Sequence, residues 1–228
     1  MDNFLDRQIS LIGKENNEKI VETKIALFGV GGVGSYVLEM FLRNGIRNIL
    51  LCDFDTVDET NINRQLVAYS DTIGKKKVDV AKNRAKRINE KVEMITYDEK
   101  VSEDNIYDML NDFNPDYIID CIDDVDAKIT IMKYAYENNI KCISSMGAGN
   151  RTRVDMIEVT DIFKTTYCPL AKKIRKILKK ENIKKQLVVY SKEQPKISKK
   201  VTSIAEVPAV FGINIAAYVF NDILSNNL

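Results

Sequence analysis

The chain of 228 residues contains no histidine and no tryptophan, and only four cysteines and four prolines. Without histidine there is no Ser-His-Asp triad, no Cys-His pair, no imidazole base and no histidine ligand for zinc. Cys52, Cys121, Cys142 and Cys168 stand far apart, so no C-x-x-C pair exists to build a zinc ribbon. The first three lie in or beside apolar runs, where cysteine acts as a small hydrophobe. No basic segment followed by an apolar run opens the sequence, and no export signal is expected. The longest apolar stretch, residues 207–224, is interrupted by Pro208, Asn214, Asn221 and Asp222, and reads as a core helix rather than a membrane span. These absences describe a cytoplasmic protein with reduced thiols and no membrane. Its chemistry must run on carboxylates, Lys, Arg, backbone N–H groups and whatever substrate or metal it binds.

Apolar residues make up 45% and charged residues 29%, an ordinary globular balance. The length suits one large α/β domain spanning 1–228, with a core over residues 1–150 and a C-terminal subregion over 151–228. Short apolar runs at residues 24–28, 48–52, 92–97, 117–121 and 140–144 read as strands. Helical periods at 37–42, 78–88, 106–113 and 127–137 separate them, and residues 54–74 form a loop. Nearly all-apolar strands alternating with helices predict an α/β fold of Rossmann-like type, a doubly wound, mostly parallel sheet. After Gly149, a strand is expected at 154–159, a basic amphipathic helix at 170–180 and a strand at 187–190. A mobile Lys- and Ser-rich loop at 191–202 and a closing helix complete a C-terminal extension of strands and helices.

Between the first strand and helix, Gly29, Gly31 and Gly34 satisfy G-x-G-x-x-G, which lets backbone N–H groups approach phosphate at a helix N-terminus. Asp53 ends the second strand nineteen residues after Gly34, where a carboxylate can accept ribose hydroxyls. So far an NAD site and an ATP site fit equally. The following segment separates them, because ATP cleavage needs cations around the phosphates. Arg64 lies in that segment and Lys77 thirteen residues beyond it. Asp120-Cys121-Ile122-Asp123-Asp124 ends the fourth strand at the sheet edge where such folds bind ligands, and carboxylates there can hold Mg²⁺ against a triphosphate.

The G-x-G-G-x-G loop, Asp53-Phe54-Asp55 with Val57, Asn61 with Arg64-Gln65, Lys77, and Asp120 with Asp123 together resemble the adenylating domain of ubiquitin-activating-like enzymes. That superfamily includes the activators of the thiamin and molybdopterin sulfur carriers. The resemblance implies attack of a carboxylate on the α-phosphate of ATP, leaving an acyl-adenylate and pyrophosphate. It implies that Gly32 backs the phosphates and Asp53 holds the ribose. Asn61, Arg64 and Lys77 would contact the phosphates, with Asp55, Gln65 and Asp124 around the nucleotide. Asp123 would position Mg²⁺. Arg7 matches an N-terminal arginine that reaches the partner subunit's ATP, which implies a homodimer and makes Arg7, Arg64, Lys77 and Asp123 the catalytic set.

Sulfur-carrier activators usually add two C-x-x-C pairs, absent here. The remaining features are similar to the branch of tRNA threonylcarbamoyladenosine dehydratases, over nearly the full chain. They include Ala127-Lys128, Met146-Gly147-Ala148-Gly149, Asp161-Ile162-Phe163-Lys164-Thr165, Val188-Val189-Tyr190-Ser191, Val207-Pro208 and Gly212. Asp124 departs from the Asn or Ser of many relatives, and Cys168 lies outside the pattern. This branch implies ATP-dependent activation of the carboxylate of a threonylcarbamoyl group on a tRNA adenosine beside the anticodon. Ring closure by an atom of the same side chain follows, with net loss of water. A cysteine desulfurase or sulfur acceptor is the protein partner implied. The alternative is adenylation of the C-terminal glycine of a small sulfur-carrier or ubiquitin-like protein; a non-enzymatic nucleotide-binding scaffold is disfavoured by Arg64, Lys77 and Asp123.

Charge tests the tRNA reading. Residues 164–200 hold thirteen Lys and Arg against two Glu, a net of +11; the whole chain carries +1, which leaves −10 for the rest. A basic stripe of this size suits a phosphate backbone. The expected tRNA contacts are Lys172, Lys173, Arg175, Lys176, Lys179 and Lys180 on the basic helix, with Lys192, Lys196, Lys199 and Lys200 on the loop beyond. A merely solvated face is the competing reading. The segment from Gly147 to Arg151, with Arg153, is expected to border the substrate entrance. Cys168, just before the basic helix, is the one candidate for a reactive thiol, against a plain structural role.

Overall fold

The computed structural model describes residues 3–225. Met1 and Asp2, on which the no-leader expectation partly rests, and residues 226–228 lie outside the described residues. A 3-10 turn at Asn3–Leu5 leads into α1 (Asp6–Ile12) and α2 (Lys14–Glu22). Then follow β1 (Lys24–Phe28), α3 (Gly34–Arg43), β2 (Asn48–Cys52), α4 (Lys77–Ile88), β3 (Glu93–Tyr97), α5 (Ile106–Leu110), β4 (Tyr117–Asp120), α6 (Val125–Glu137) and β5 (Lys141–Ser145). The C-terminal part adds β6 (Ile157–Asp161), α7 (Pro169–Lys180), β7 (Leu187–Ser191) and α8 (Glu206–Ser225).

All seven strands form one sheet in the order β3-β2-β1-β4-β5-β7-β6. Every pair is parallel except β6 with β7. β1 buries Ile25, Ala26, Leu27 and Phe28 completely, because helices cover both faces of the sheet and leave no solvent side to alternate with. On one face α3 supplies Val37, Leu38, Phe41 and Leu42, and α8 supplies Val207, Phe211, Ile215 and Val219, to a single apolar layer. On the other, α5 and α6 pack Ile106, Leu110, Ile131 and Tyr134 against Phe28 and Ile118. α8 is long and apolar enough to span a bilayer, but it lies against the sheet, and Gly212 lets it approach closely: a Cβ there would fall 2.6 Å from the Val33 carbonyl oxygen. The strand order reverses between β1 and β4, which opens a crevice at their carboxyl ends.

Three local expectations change. The strand expected at 154–159 begins as a 3-10 turn at Val154–Met156, and β6 is shifted to the five residues that pair with β7, from Ile157 opposite Ser191 to Asp161 opposite Leu187. α5 stops at Leu110, whose carbonyl accepts from the N–H of Asn114, a residue in the left-handed region at φ 47°. Helices α1 and α2 were not anticipated; α1 buries none of its own residues and is fastened by neighbours, Leu5 beside Gly45 and Gln8 donating to the Asn44 carbonyl at 3.0 Å.

Candidate active site

The glycine loop is shaped by steric necessity at two positions. Gly29 sits at φ +86°, with a Cβ position 3.0 Å from the Cys121 backbone, and a Cβ on Gly34 would lie 1.9 Å from the Gly29 carbonyl oxygen. Both therefore need glycine, one to turn and one to let α3 begin against the turn. The loop is fixed to the neighbouring strands by Gly29 N–H donating to the Cys52 carbonyl (2.8 Å) and Cys121 N–H donating to the Phe28 carbonyl (2.8 Å). Asp53, at the end of β2, accepts from Val30 N–H at 2.7 Å and from Asp55 N–H at 2.9 Å. Burial pushes its carboxyl above the ordinary range, while the Val30 N–H and the Lys77 charge pull it back.

The loop after β2 brings the cations. Lys77, the first residue of α4, is buried and its Nζ donates to the Asp55 carboxylate at 2.7 Å. Asn61 is also buried; its Oδ1 accepts from Asp58 N–H (3.2 Å), closing the cap of the 3-10 turn Glu59–Asn61. Arg64 is aimed by Nη1 bonds to the Thr60 carbonyl (2.8 Å) and Asn63 Oδ1 (3.0 Å). Its stem lies under Gly32, where a Cβ would be 3.4 Å away. Gln65 is buried and its Oε1 has no hydrogen-bond partner among the described residues.

These walls enclose a cavity of about 1000 Å³ at the crevice. Gly29, Gly31, Gly32, Asp53, Asp55, Asn61, Arg64, Gln65, Lys77, Asp123 and Asp124 all line it. Gly34 stands behind Gly29. Arg7 is not among the lining residues. It is exposed on α1, beside the C-terminal end of α3, and the ten residues of α3 rise about 15 Å away from the loop.

The two acids after β4 are not equivalent. Asp123 is exposed, with no hydrogen bond or ion pair among the described residues. Asp124 caps α6, accepting from Ala127 N–H at 3.0 Å, and pairs with Lys100 at 2.8 Å; both interactions hold its carboxyl below the ordinary range. Next to them lies a buried pair, Asp120 with Lys128, whose contact the sequence does not reveal. Lys128 Nζ lies 2.8 Å from the Asp120 carboxylate, with Ser144 Oγ donating to the same oxygen, and all three are fully buried. Asp120 also accepts from Ile122 N–H at 3.2 Å, which fixes the loop that carries Asp123. A lysine among the apolar residues of α6 was the available signal.

The segment expected to be a mobile loop is tethered instead. Lys196 N–H donates to the Asn150 carbonyl (2.8 Å), Thr202 N–H to Asn150 Oδ1 (2.8 Å), and Asn63 Nδ2 to the Ser203 carbonyl (3.0 Å). Lys200 to Ser203 thereby become a wall of the cavity, together with Ala148, Gly149 and Pro208. Lys192 pairs with Glu158 at 2.7 Å. Arg151 is buried and bonds the carbonyls of Gly147 and Gly149, so it shapes the rim.

On α7 the lysines and the arginine part company. Ala171, Ile174 and Leu178 face inward, leaving Lys172, Lys173, Lys176, Lys179 and Lys180 exposed. Arg175 falls on the inner side, where Nη1 donates to the carbonyls of Ile162 (3.2 Å) and Thr165 (3.1 Å) and to Thr165 Oγ1. The spacing of Ala171, Ile174 and Leu178 already marked position 175 as inward. Cys168 is the buried N-cap of α7, its Sγ accepting from Ala171 N–H at 3.4 Å. Burial pushes the Cys52 and Cys142 thiols up to about 12 and raises that of Cys121 as well.

A phosphate-sized glycine cradle, a ribose-ready carboxylate, two cations and an unpaired acid around one crevice define a nucleotide-binding α/β protein of the adenylating kind. The ThiF family model matches residues 5–226, and the chain belongs to that family. A Bacillus subtilis protein named tRNA threonylcarbamoyladenosine dehydratase is 39% identical, with 94% of this chain and 92% of that protein covered. A Haemophilus influenzae protein of the same name is 40% identical over 72% of this chain but 62% of its own length. Among solved structures, E. coli tRNA N6-threonylcarbamoyladenosine dehydratase in complex with AMP superposes with a TM-score of 0.93 at 29% identity, covering 99% of this chain and 97% of that one. Its complex with ATP gives 0.92 at 30%. The similarity to an adenylyltransferase and sulfurtransferase of Meyerozyma guilliermondii is more distant, 33% over 59% of this chain and 31% of that protein.

Proposed function

We propose that this protein is an ATP-dependent enzyme that dehydrates N6-threonylcarbamoyladenosine in tRNA to its cyclic form. The observation that carries the reading is the cavity in which a glycine cradle, Arg64, Lys77 and Asp123 converge, in a chain that matches named dehydratases along nearly its whole length. The substrate carboxylate attacks the α-phosphorus of ATP, the α–β phosphoanhydride breaks, and pyrophosphate leaves. A nucleophilic atom of the same threonylcarbamoyl side chain then attacks the acyl carbon, closing a five-membered ring with release of AMP and a proton. Both nucleophiles belong to the substrate, so the protein needs to hold reacting groups together rather than supply a strong base. This suits a chain without histidine.

The residues divide the work by their chemistry. Backbone N–H groups from Gly31 to Gly34, at the start of α3, receive phosphate oxygens. Asp53 accepts the ribose hydroxyls. Arg64 and Lys77 meet the charge that develops on the leaving pyrophosphate. Among the described residues there is no cluster of three metal-ligating side chains. A cation held by the triphosphate and one carboxylate needs no such cluster, and the unpaired Asp123 fits it. When bound, Mg²⁺ would neutralise phosphate charge there. Arg7 is exposed and does not line its own cavity, which supports a homodimer in which each copy lends Arg7 to the other. The exposed lysines of α7 form the tRNA face, and the reaction belongs in the cytoplasm with tRNA.

Activation of a small carrier protein is the weaker reading, since the relatives of that kind match a shorter part of the chain. Purified protein incubated with ATP, Mg²⁺ and modified tRNA should yield a nucleoside lighter by one water in mass spectrometry. An unchanged nucleoside mass alongside AMP formation on a carrier protein would reverse the assignment.

A further inference from the structure

Five non-glycine residues among those described have positive φ, and four of them are asparagines. The fifth is Tyr167, at φ 51°. Asparagine tolerates the left-handed region because its short side chain bonds locally, whereas a bulky aromatic residue there is strained. Strain of this kind persists where the surroundings impose it. They do so from both sides here. Thr165 is buried and gripped by Arg175, and Cys168 is buried and caps α7. Between those two anchors the backbone has no freedom to relax. The tyrosine they hold is 63% exposed. The fold thus commits a half-buried arginine and a strained backbone to presenting an aromatic face to solvent.

The place of this ring fits single-stranded RNA. Tyr167 stands just before the helix that carries Lys172, Lys173 and Lys176. Its neighbour Cys168 packs against Gly147, where a Cβ would lie 3.9 Å from the sulfur, and Gly147 is two residues from Gly149 in the cavity wall. An exposed ring joined through Cys168 and Gly147 to the cavity wall, and a set of exposed cations on the helix that follows it, are the two components of a loop-binding surface: stacking for bases and charge for phosphates.

We propose that Tyr167 is a stacking platform for a base adjacent to the modified adenosine of the tRNA loop, so that the target nucleotide enters the cavity while its neighbour rests on the ring. This rests on the dehydratase reading above and adds a positioning residue to it. Stacking on an aromatic side chain changes binding by roughly tenfold or more per base.

The test is a double-mutant cycle on an anticodon stem-loop carrying the modified adenosine. Wild type, Tyr167→Phe and Tyr167→Gly are each measured against the intact stem-loop and against stem-loops with an abasic site on either side of the target. Glycine relieves the φ strain, so Tyr167→Gly should melt no lower than wild type, and weaker affinity cannot then be assigned to unfolding. On the intact stem-loop Tyr167→Gly should bind about tenfold more weakly, with ATP affinity unchanged and Tyr167→Phe near wild type. With one of the two abasic stem-loops the difference between wild type and Tyr167→Gly should vanish. Equal binding of Tyr167→Gly and wild type to the intact stem-loop, or an equal loss with both abasic ones, overturns the platform. Wild type that leaves the modified nucleoside unchanged overturns the dehydratase reading itself, a separate result from a missing coupling in an active enzyme.

Discussion

The Lys128 ammonium and the Asp120 carboxylate lie 2.8 Å apart, and neither side chain has any solvent exposure. A buried pair of this kind is costly to break from one side, because the remaining charge is left buried without a counter-charge. Lys128→Ala should therefore destabilise the fold by about 3–5 kcal/mol in urea unfolding. Asp120 also holds Ile122 N–H, so the loop bearing Asp123 should loosen in this variant. Faster amide exchange at Ile122 would report it. A loss below about 1 kcal/mol, as for a surface pair, contradicts the packing described.

Gly34→Ala probes the loop. The added methyl would sit 1.9 Å from the Gly29 carbonyl oxygen, and backbone on both sides has nowhere to go. Nucleotide affinity should fall below detection in calorimetry, and stability should drop by about 1–3 kcal/mol from overpacking.

Asp123→Ala and Arg64→Ala should each abolish substrate-dependent exchange of pyrophosphate into ATP. Asp123 has no partner within the described residues, so its replacement should leave the thermal midpoint unchanged while activity disappears. A clear fall in the midpoint would show that Asp123 has a structural role.

Asp53 predicts a pH dependence. Burial raises its carboxyl above the ordinary value of 3.8, so it takes up a proton sooner on acidification than an exposed aspartate does. The ionised form is the one disfavoured by folding. Its effect on stability is therefore a loss as pH rises from the ordinary value through the raised one. Nucleotide binding runs the other way, because a ribose hydroxyl needs the ionised acceptor. ATP affinity should weaken as pH falls through the raised value, and Asp53→Asn should bind weakly with that dependence flattened.

Changing Lys172, Lys173, Lys176, Lys179 and Lys180 together to Gln should weaken tRNA binding. The salt slope should fall by roughly 0.7–0.9 for each phosphate that is no longer neutralised, and ATP affinity should hold. Arg175→Gln should behave differently, lowering the thermal midpoint because the bonds to Ile162 and Thr165 disappear. An unchanged salt slope in the five-lysine variant would make the stripe a solvated face.

The central sheet was legible because β1, β2 and β4 are short apolar runs between helical periods, and burial on both faces requires such runs. Of the expected nucleotide residues, Asp53 and Asp123 follow strands and Lys77 begins α4, so topology puts them at one edge; Asn61, Arg64 and Gln65 reach the same cavity from the loop between β2 and α4. What stayed hidden depended on distant partners. α1 carries no apolar stripe of its own and is held by residues near Asn44 and Gly45. The loop at 191–202 reads as flexible by composition, and the bonds to Asn150, itself left-handed at φ 60°, with the one from Asn63 to the Ser203 carbonyl, make it a wall. Arg175 reads as one more cation until its place on the helix face is counted. Asp120 reads as part of an acidic cluster, although its task in the fold is to face Lys128 and Ser144 and hold Ile122.

The cavity draws its walls from Gly29 at one end of the sequence to Pro208 near the other, and Pro208 rests against Gly32 of the first loop. The glycine turn is therefore an open groove until α8 lies over it, and the pocket waits on long-range contacts, the kind that form most slowly in folding. Nucleotide binding thus reports the docking of α8 as much as the shape of the first loop.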